Sequence, residues 1–166
     1  SFLVGILTVF LLTDGPVSAA EPKRLAKNGD WIAFEMGNGD DRLCFMTSEP
    51  TKAEGNYTQR GEIRFNVSHW PGEKRVGQTS VVIGYQFKDG SDVEVQIDRK
   101  SFTMFTQGDY AWALSPADDE KLVDAMKKGL RMVVRGTSWR GTDTKDTYSL
   151  VGFTKTYQRI SKACGL

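Results

Sequence analysis

The sequence predicts an all-β fold: an immunoglobulin-like antiparallel β-sandwich with one inserted α-helix and a short C-terminal helix. Three observations carry that prediction. From Asp30 onward, short segments rich in β-branched and aromatic residues alternate apolar and polar side chains. Turn chemistry punctuates them, as in Gly37-Asn38-Gly39-Asp40, Asp89-Gly90 and Gln107-Gly108-Asp109. Only one stretch, Ser115 to Gly129, carries full helical start and stop signals. A barrel built from the same roughly nine strands satisfies the pattern equally well.

The elements follow in order. Residues 21–29 are polar and read as a flexible arm. Trp31 to Met36 alternates up to the Gly37–Asp41 turn, and Leu43 to Ser48 follows, so these two pair as a hairpin. A loop holding Pro50, Gly55 and Asn56 leads to a strand on which Ile63, Phe65, Val67 and His69 share a face. Ser80 to Phe87, the turn at Asp89-Gly90 and Val93 to Ile97 read as the clearest hairpin of the chain. Asp98 to Lys100 turns into the segment Phe102 to Thr106, and Gln107-Gly108-Asp109 turns into Tyr110 to Leu114.

The helix begins at Ser115, a good N-cap, with Pro116 at its first position and Asp118 completing a capping box. Leu122, Val123 and Met126 form its apolar stripe. Lys127 and Lys128 suit its negative end, and Gly129 closes it. Leu130 to Arg135 and Thr144 to Phe153 read as the last strands. Residues 154–164 suit a short helix with Tyr157, Ile160 and Cys164 on one side.

Composition bounds the function. The chain has 166 residues, 22 basic against 21 acidic, with 39% hydrophobic residues. That is one domain, residues 30–166, and it is not disordered. The formal +1 charge excludes a dedicated nucleic-acid binder.

Residues 1–20 read as a signal peptide. Phe2 to Leu12 is an uncharged apolar run, Asp14-Gly15-Pro16 breaks it, and Ser18 and Ala20 are small at the −3 and −1 places of a cut. The run is too short to span a membrane, which takes about 20 residues. With no initiator Met and no basic region, the chain is expected to start inside its precursor. Export favours a disulfide between Cys44 and Cys164, the two cysteines present. Closing a loop of about 120 residues is worth ~4–5 kcal/mol in the chain-entropy account. Two buried thiols or a redox pair is the competing reading, although no Cys-x-x-Cys spacing supports redox chemistry.

His69 is the single histidine, at a strand end, with no nucleophile signature to serve, so it reads as structural. One His and two Cys leave a transition metal short of ligands. Asn38 to Asp41 and Asp89 to Asp92 lack the spacing of a helical calcium loop and read as turns. Asn56 and Asn66 head sequons that matter only in a eukaryotic secretory route. No catalytic, metal or cofactor residue is assigned.

The most unusual segment is Arg135 to Thr142, where Arg135, Trp139 and Arg140 stand among hydroxyls and glycines. Arg and Trp dominate binding hot spots, which makes these three the candidate partner-binding residues. A solvated strand connection is the bland alternative. Tyr110 and Trp112 read as core.

Several ordered stretches resemble one family, the invasion-associated locus B (IalB) proteins of alphaproteobacterial envelopes. They are Leu43 to Met46, Ser80 to Tyr85, Phe105 to Ala113, Leu122 to Gly129, Met132 to Thr142, Asp146 to Phe153, and Ala163-Cys164. The resemblance implies an exported single immunoglobulin-like domain held by a Cys44–Cys164 bridge. It also implies a place in the periplasm or on the outer surface of a Gram-negative bacterium and, in some members, a part in host-cell invasion.

The expected function is therefore that of an envelope interaction module, not an enzyme, supporting invasion or envelope stress tolerance. Its partner is expected to be a protein of the bacterial envelope or of host cells, with neither nucleic acid nor a small-molecule cofactor. The alternatives are a periplasmic chaperone or inhibitor acting through a sheet edge, and an envelope hydrolase using carboxylates or His69.

Overall fold

A computed structural model describes residues 21–166 of the chain, and the targeting segment read at residues 1–20 lies outside the described residues. The elements are β1 (Lys23–Asn28), β2 (Trp31–Met36), β3 (Leu43–Ser48), β4 (Lys52–Gly55), β5 (Arg64–Trp70) and β6 (Arg75–Val82). They continue with β7 (Asp92–Ile97), β8 (Lys100–Gln107), β9 (Tyr110–Ala113), α1 (Pro116–Lys128), β10 (Arg131–Thr137), β11 (Asp143–Ser149) and α2 (Phe153–Ala163).

The eleven described strands form one antiparallel sheet in the order β1-β2-β3-β5-β6-β9-β8-β7-β10-β11-β4. Six strand places separate β5 from β11, which is roughly 29 Å in a flat sheet. Yet the rings of Phe65 and Tyr148 on those strands meet at 6.1 Å between centroids. The Trp31 indole N–H of β2 likewise donates to the Ser149 carbonyl of β11 at 2.9 Å. The sheet therefore curls until its halves face each other. The all-β expectation holds, with the layers of the sandwich drawn from a single continuous sheet.

Period-two alternation decides the interior. Phe65, Val67 and His69 of β5, Val93, Val95 and Ile97 of β7, and Met132 and Val134 of β10 are buried, while their neighbours point outward. Helix α1 starts as the sequence indicates: Ser115 Oγ accepts the Asp118 N–H at 3.2 Å and donates to the Asp118 carboxylate at 2.6 Å. On its inner face Asp119 accepts from the backbone N–H and the hydroxyl of Thr79 at 2.7 and 2.6 Å, docking the helix on β6. Helix α2 buries Phe153, Thr156 and Ile160. Cys164, just beyond it, is bonded to Cys44 in β3 with 5.9 Å between their Cα atoms.

Four expectations change. Residues 23–28 of the expected arm are β1, an edge strand in register with β2, with Leu25 and Ala26 packed against the core. Residues 52–55 of the expected loop are β4, which caps the opposite edge against β11. Ser80 to Phe87 and Val93 to Ile97 do not pair: β6 lies between β5 and β9, and β7 between β8 and β10. The cause is Gly84, at φ +81, where a Cβ would stand 2.6 Å from the Gly61 carbonyl oxygen, so the chain turns aside there. Finally, the last strand stops at Ser149, because Gly152 at φ +89 passes against the Asn28 carbonyl and turns the chain into α2.

Candidate interaction site

At one end of the curled sheet, two segments distant in sequence meet over a buried ion pair. Asp146 stands inward on β11 between Thr144 and Tyr148, and its side chain is 0% exposed, against 3% for Arg60. Arg60 Nη1 and Nη2 donate to the two carboxylate oxygens at 2.7 and 2.5 Å, and Nε donates to the Ile83 carbonyl at 2.7 Å. Burial alone would lower the Arg60 pKa, but the bonds to Asp146 outweigh it and the shift is upward. Burial pushes the Asp146 carboxyl up while Arg60 pulls it down. Two parallel N–H···O bonds are the geometry of a guanidinium on a carboxylate, and the pair is ionic.

The pair organises what stands above it. The guanidinium carbon lies 5.3 Å from the ring centres of both Tyr57 and Tyr85. Tyr85 Oη is 2.6 Å from Thr144 Oγ1, and the Gly61 N–H donates to the Gly84 carbonyl at 2.9 Å. Residues 57–61 are thus fixed to β11 and to the chain beyond β6 at several points.

Residues 138–142, the connection from β10 to β11, form the facing wall. The Ser138 N–H donates to the Thr142 carbonyl at 2.9 Å, and the Thr142 N–H donates back to Ser138 Oγ at 3.1 Å. The Trp139 N–H donates to the Gln86 carbonyl at 2.9 Å, tying this tip to the Tyr85 segment. Trp139 itself is 61% exposed. Arg140 lays its guanidinium 4.8 Å from the centre of the Trp139 ring. Between the walls lies an open groove of about 450 Å³, lined among others by Asn56, Tyr57, Tyr85, Trp139, Arg140 and Thr142.

The structure brings Trp139 and Arg140 together and sets Arg135 apart. Arg135 projects from β10 toward β7, donating to Glu94 at 3.3 Å and Gln96 at 3.0 Å. It lines a different cavity, of about 480 Å³, with Glu54 and Asp92. Four residues of the site, Tyr57, Arg60, Tyr85 and Asp146, were missed by sequence reasoning. Their relation spans 86 residues from Arg60 to Asp146, and no local spacing announces it.

Tyr110 and Trp112 also depart from their expected place in the core. They stack on the outer face of β9 at 5.6 Å, with Tyr110 38% exposed and Trp112 partly so, because their alternation puts Ala111 inward instead. His69 is fully buried. Its Nδ1 accepts the Gly77 N–H at 2.9 Å, which leaves the ring proton on Nε2 to donate to Ser161 Oγ at 3.0 Å. Burial, with a smaller push from Lys127, lowers its pKa from 6.5 to about 4. The first bond ties β6 to β5, and the second fastens α2 to the sheet beside the disulfide. Among the described residues, no group of three or more His, Cys, Asp or Glu is placed to hold a metal ion. No described helix is long and apolar enough to cross a membrane.

Comparison with known proteins matches this architecture to one family. The sequence model of the invasion associated locus B (IalB) protein family matches residues 31–161. The crystal structure of invasion associated protein B from Bartonella henselae superposes with a TM-score of 0.59 at 16% identity, covering 89% of this chain and 98% of that one. That likeness is one of fold. No curated protein matches the chain.

Proposed function

The chain belongs to the invasion associated locus B family, and from that premise we propose that it is an exported interaction module of the bacterial cell envelope. In this reading it acts by binding a protein of the envelope or of a host cell, in support of invasion or of envelope stress tolerance, and carries out no reaction. It works in the periplasm or on the outer surface. Its contact surface is the Trp139–Arg140 tip with the groove beneath it.

One observation carries the assignment of the surface. Trp139 is 61% exposed although its backbone is pinned, so a large apolar side chain is presented to solvent on a rigid support. Exposed aromatic and Arg side chains on rigid supports are the usual anchors of interfaces. Arg135, occupied by Glu94 and Gln96, falls outside this surface.

The sheet edges are less suited to partner binding. Edge strand β1 carries Lys23, Arg24 and Lys27 with an irregular register between Arg24 and Ala26, and edge strand β4 has only four residues. Charge, irregularity and shortness are the devices that keep edges from pairing.

The double variant Trp139→Ala/Arg140→Ala tests the assignment. It is expected to fold with unchanged stability and to lose capture of the partner from envelope or host-membrane extracts. Full capture by the folded variant would remove the tip from the contact surface.

A further inference from the structure

The groove beside Trp139 has a one-sided chemistry. Of the described residues that line it, only Arg140 carries a charged side chain, and none carries a carboxylate. Among the described residues Arg140 has no ion-pair partner. Its guanidinium carbon lies over the Trp139 ring, 4.8 Å from the centroid, a contact that uses none of its N–H donors. What remains is an exposed fork of donors beside the indole, which is the fit for an oxyanion.

The other walls add donors and apolar area. The Asn56 and Gln59 amides and the Thr142 hydroxyl line the groove beside the rings of Tyr57 and Trp139. An extended polypeptide offers backbone carbonyl acceptors to such donors, and an Asp or Glu side chain to the fork. A neutral sugar could bond the amides and hydroxyls of this lining but would leave the Arg140 fork without an anion.

We infer that the groove between residues 56–60 and 138–142 receives an extended acidic peptide segment of a protein partner. One of its carboxylates is forked on Arg140, and its apolar atoms lie against Tyr57 and Trp139. The inference rests on the proposed reading of the tip as the contact surface and names the class of ligand it takes. Because both walls are tied down by backbone bonds and by the Arg60–Asp146 pair, little ordering is needed on binding.

The test is titration of the isotope-labelled protein, followed at the Trp139 indole N–H resonance, which the Trp139→Phe variant identifies. The probes are a synthetic octapeptide of alternating glutamate and proline, its lysine counterpart, and an oligogalacturonate as an acidic sugar. The glutamate peptide is expected to move the Trp139 resonance saturably and to leave that of the buried Trp31 in place. Arg140→Glu, an exposed change that spares the fold, should weaken the glutamate peptide at least about tenfold and admit the lysine peptide.

No movement with the glutamate peptide, equal movement with both peptides, or movement with oligogalacturonate alone would each overturn the inference, the last by assigning an acidic glycan instead. Cross-linking from position 139 separates the two claims. If it captures a protein while the peptides leave the resonance unmoved, only the ligand class is wrong. If it captures nothing as well, the contact surface is wrong with it.

Discussion

Arg60 and Asp146 are joined by two parallel bonds of 2.7 and 2.5 Å in an interior where neither side chain sees more than a trace of solvent. Arg60 belongs to the connection before β5, and Asp146 to β11, on the half of the curled sheet that faces β5. The pair therefore ties the two facing halves of the fold together directly under the candidate site.

Removing one partner is expected to be far worse than removing both. Asp146→Asn leaves a buried guanidinium uncompensated and should cost about 3–5 kcal/mol in denaturant unfolding. Replacing the pair by apolar residues, as in Arg60→Met/Asp146→Leu, should cost distinctly less. Equal losses in the two variants would show that the pair is not acting as a unit.

The histidine gives a pH signature of definite sign. Unfolded, His69 takes up its proton near pH 6.5; folded, it resists until about pH 4. Below pH 6.5 the unfolded state binds the extra proton, so stability is full above that pH and falls as pH drops toward 4. The slope approaches about 1.4 kcal/mol per pH unit, for a total of about 3 kcal/mol. Subtracting the pH–stability curve of His69→Gln from that of the wild type should isolate this decline. Parallel curves would contradict it.

The disulfide closes a loop spanning 120 positions and anchors the end of α2 to β3. Cys44→Ser/Cys164→Ser is expected to lose ~4–5 kcal/mol relative to the bonded form, the chain-entropy value for so long a loop. Hydrogen exchange should rise first in α2, whose remaining fastenings include the His69–Ser161 and Arg42–Ala163 bonds and the packing of its Phe153 on Trp31 and its Tyr157 on His69. Uniform protection in the unbridged variant would contradict that order.

What was legible in the sequence was local. Most strands announced themselves by alternation, though the edge strands β1 and β4 did not, and α1 by Ser115, Pro116 and its Leu122–Val123–Met126 stripe. Turn residues also say where a strand ends, but not with which strand it pairs. Asp89-Gly90 marks a real turn, yet Gly84 has already sent the chain across Gly61, so the two segments around it join different neighbours.

The same limit applies to the site. Trp139 and Arg140 stood out because they are adjacent. Arg135, four residues from Trp139, was grouped with them by nearness alone and faces β7 instead. Tyr57, Arg60, Tyr85 and Asp146 come together only through the curling of the sheet. Tyr110 and Trp112 read as core because aromatic strand residues usually are, whereas Ala111 and Met104 occupy the interior there.

The central claim, that the Trp139–Arg140 tip is a partner-binding surface, is tested most directly by photo-cross-linking in the native bacterium. The probe replaces Trp139, with a control probe at the exposed Glu120 of α1. A discrete protein of the envelope, or of a host cell during contact, should be captured from position 139 and not from position 120. The same diffuse background from both positions would contradict the account and return residues 138–142 to a strand connection.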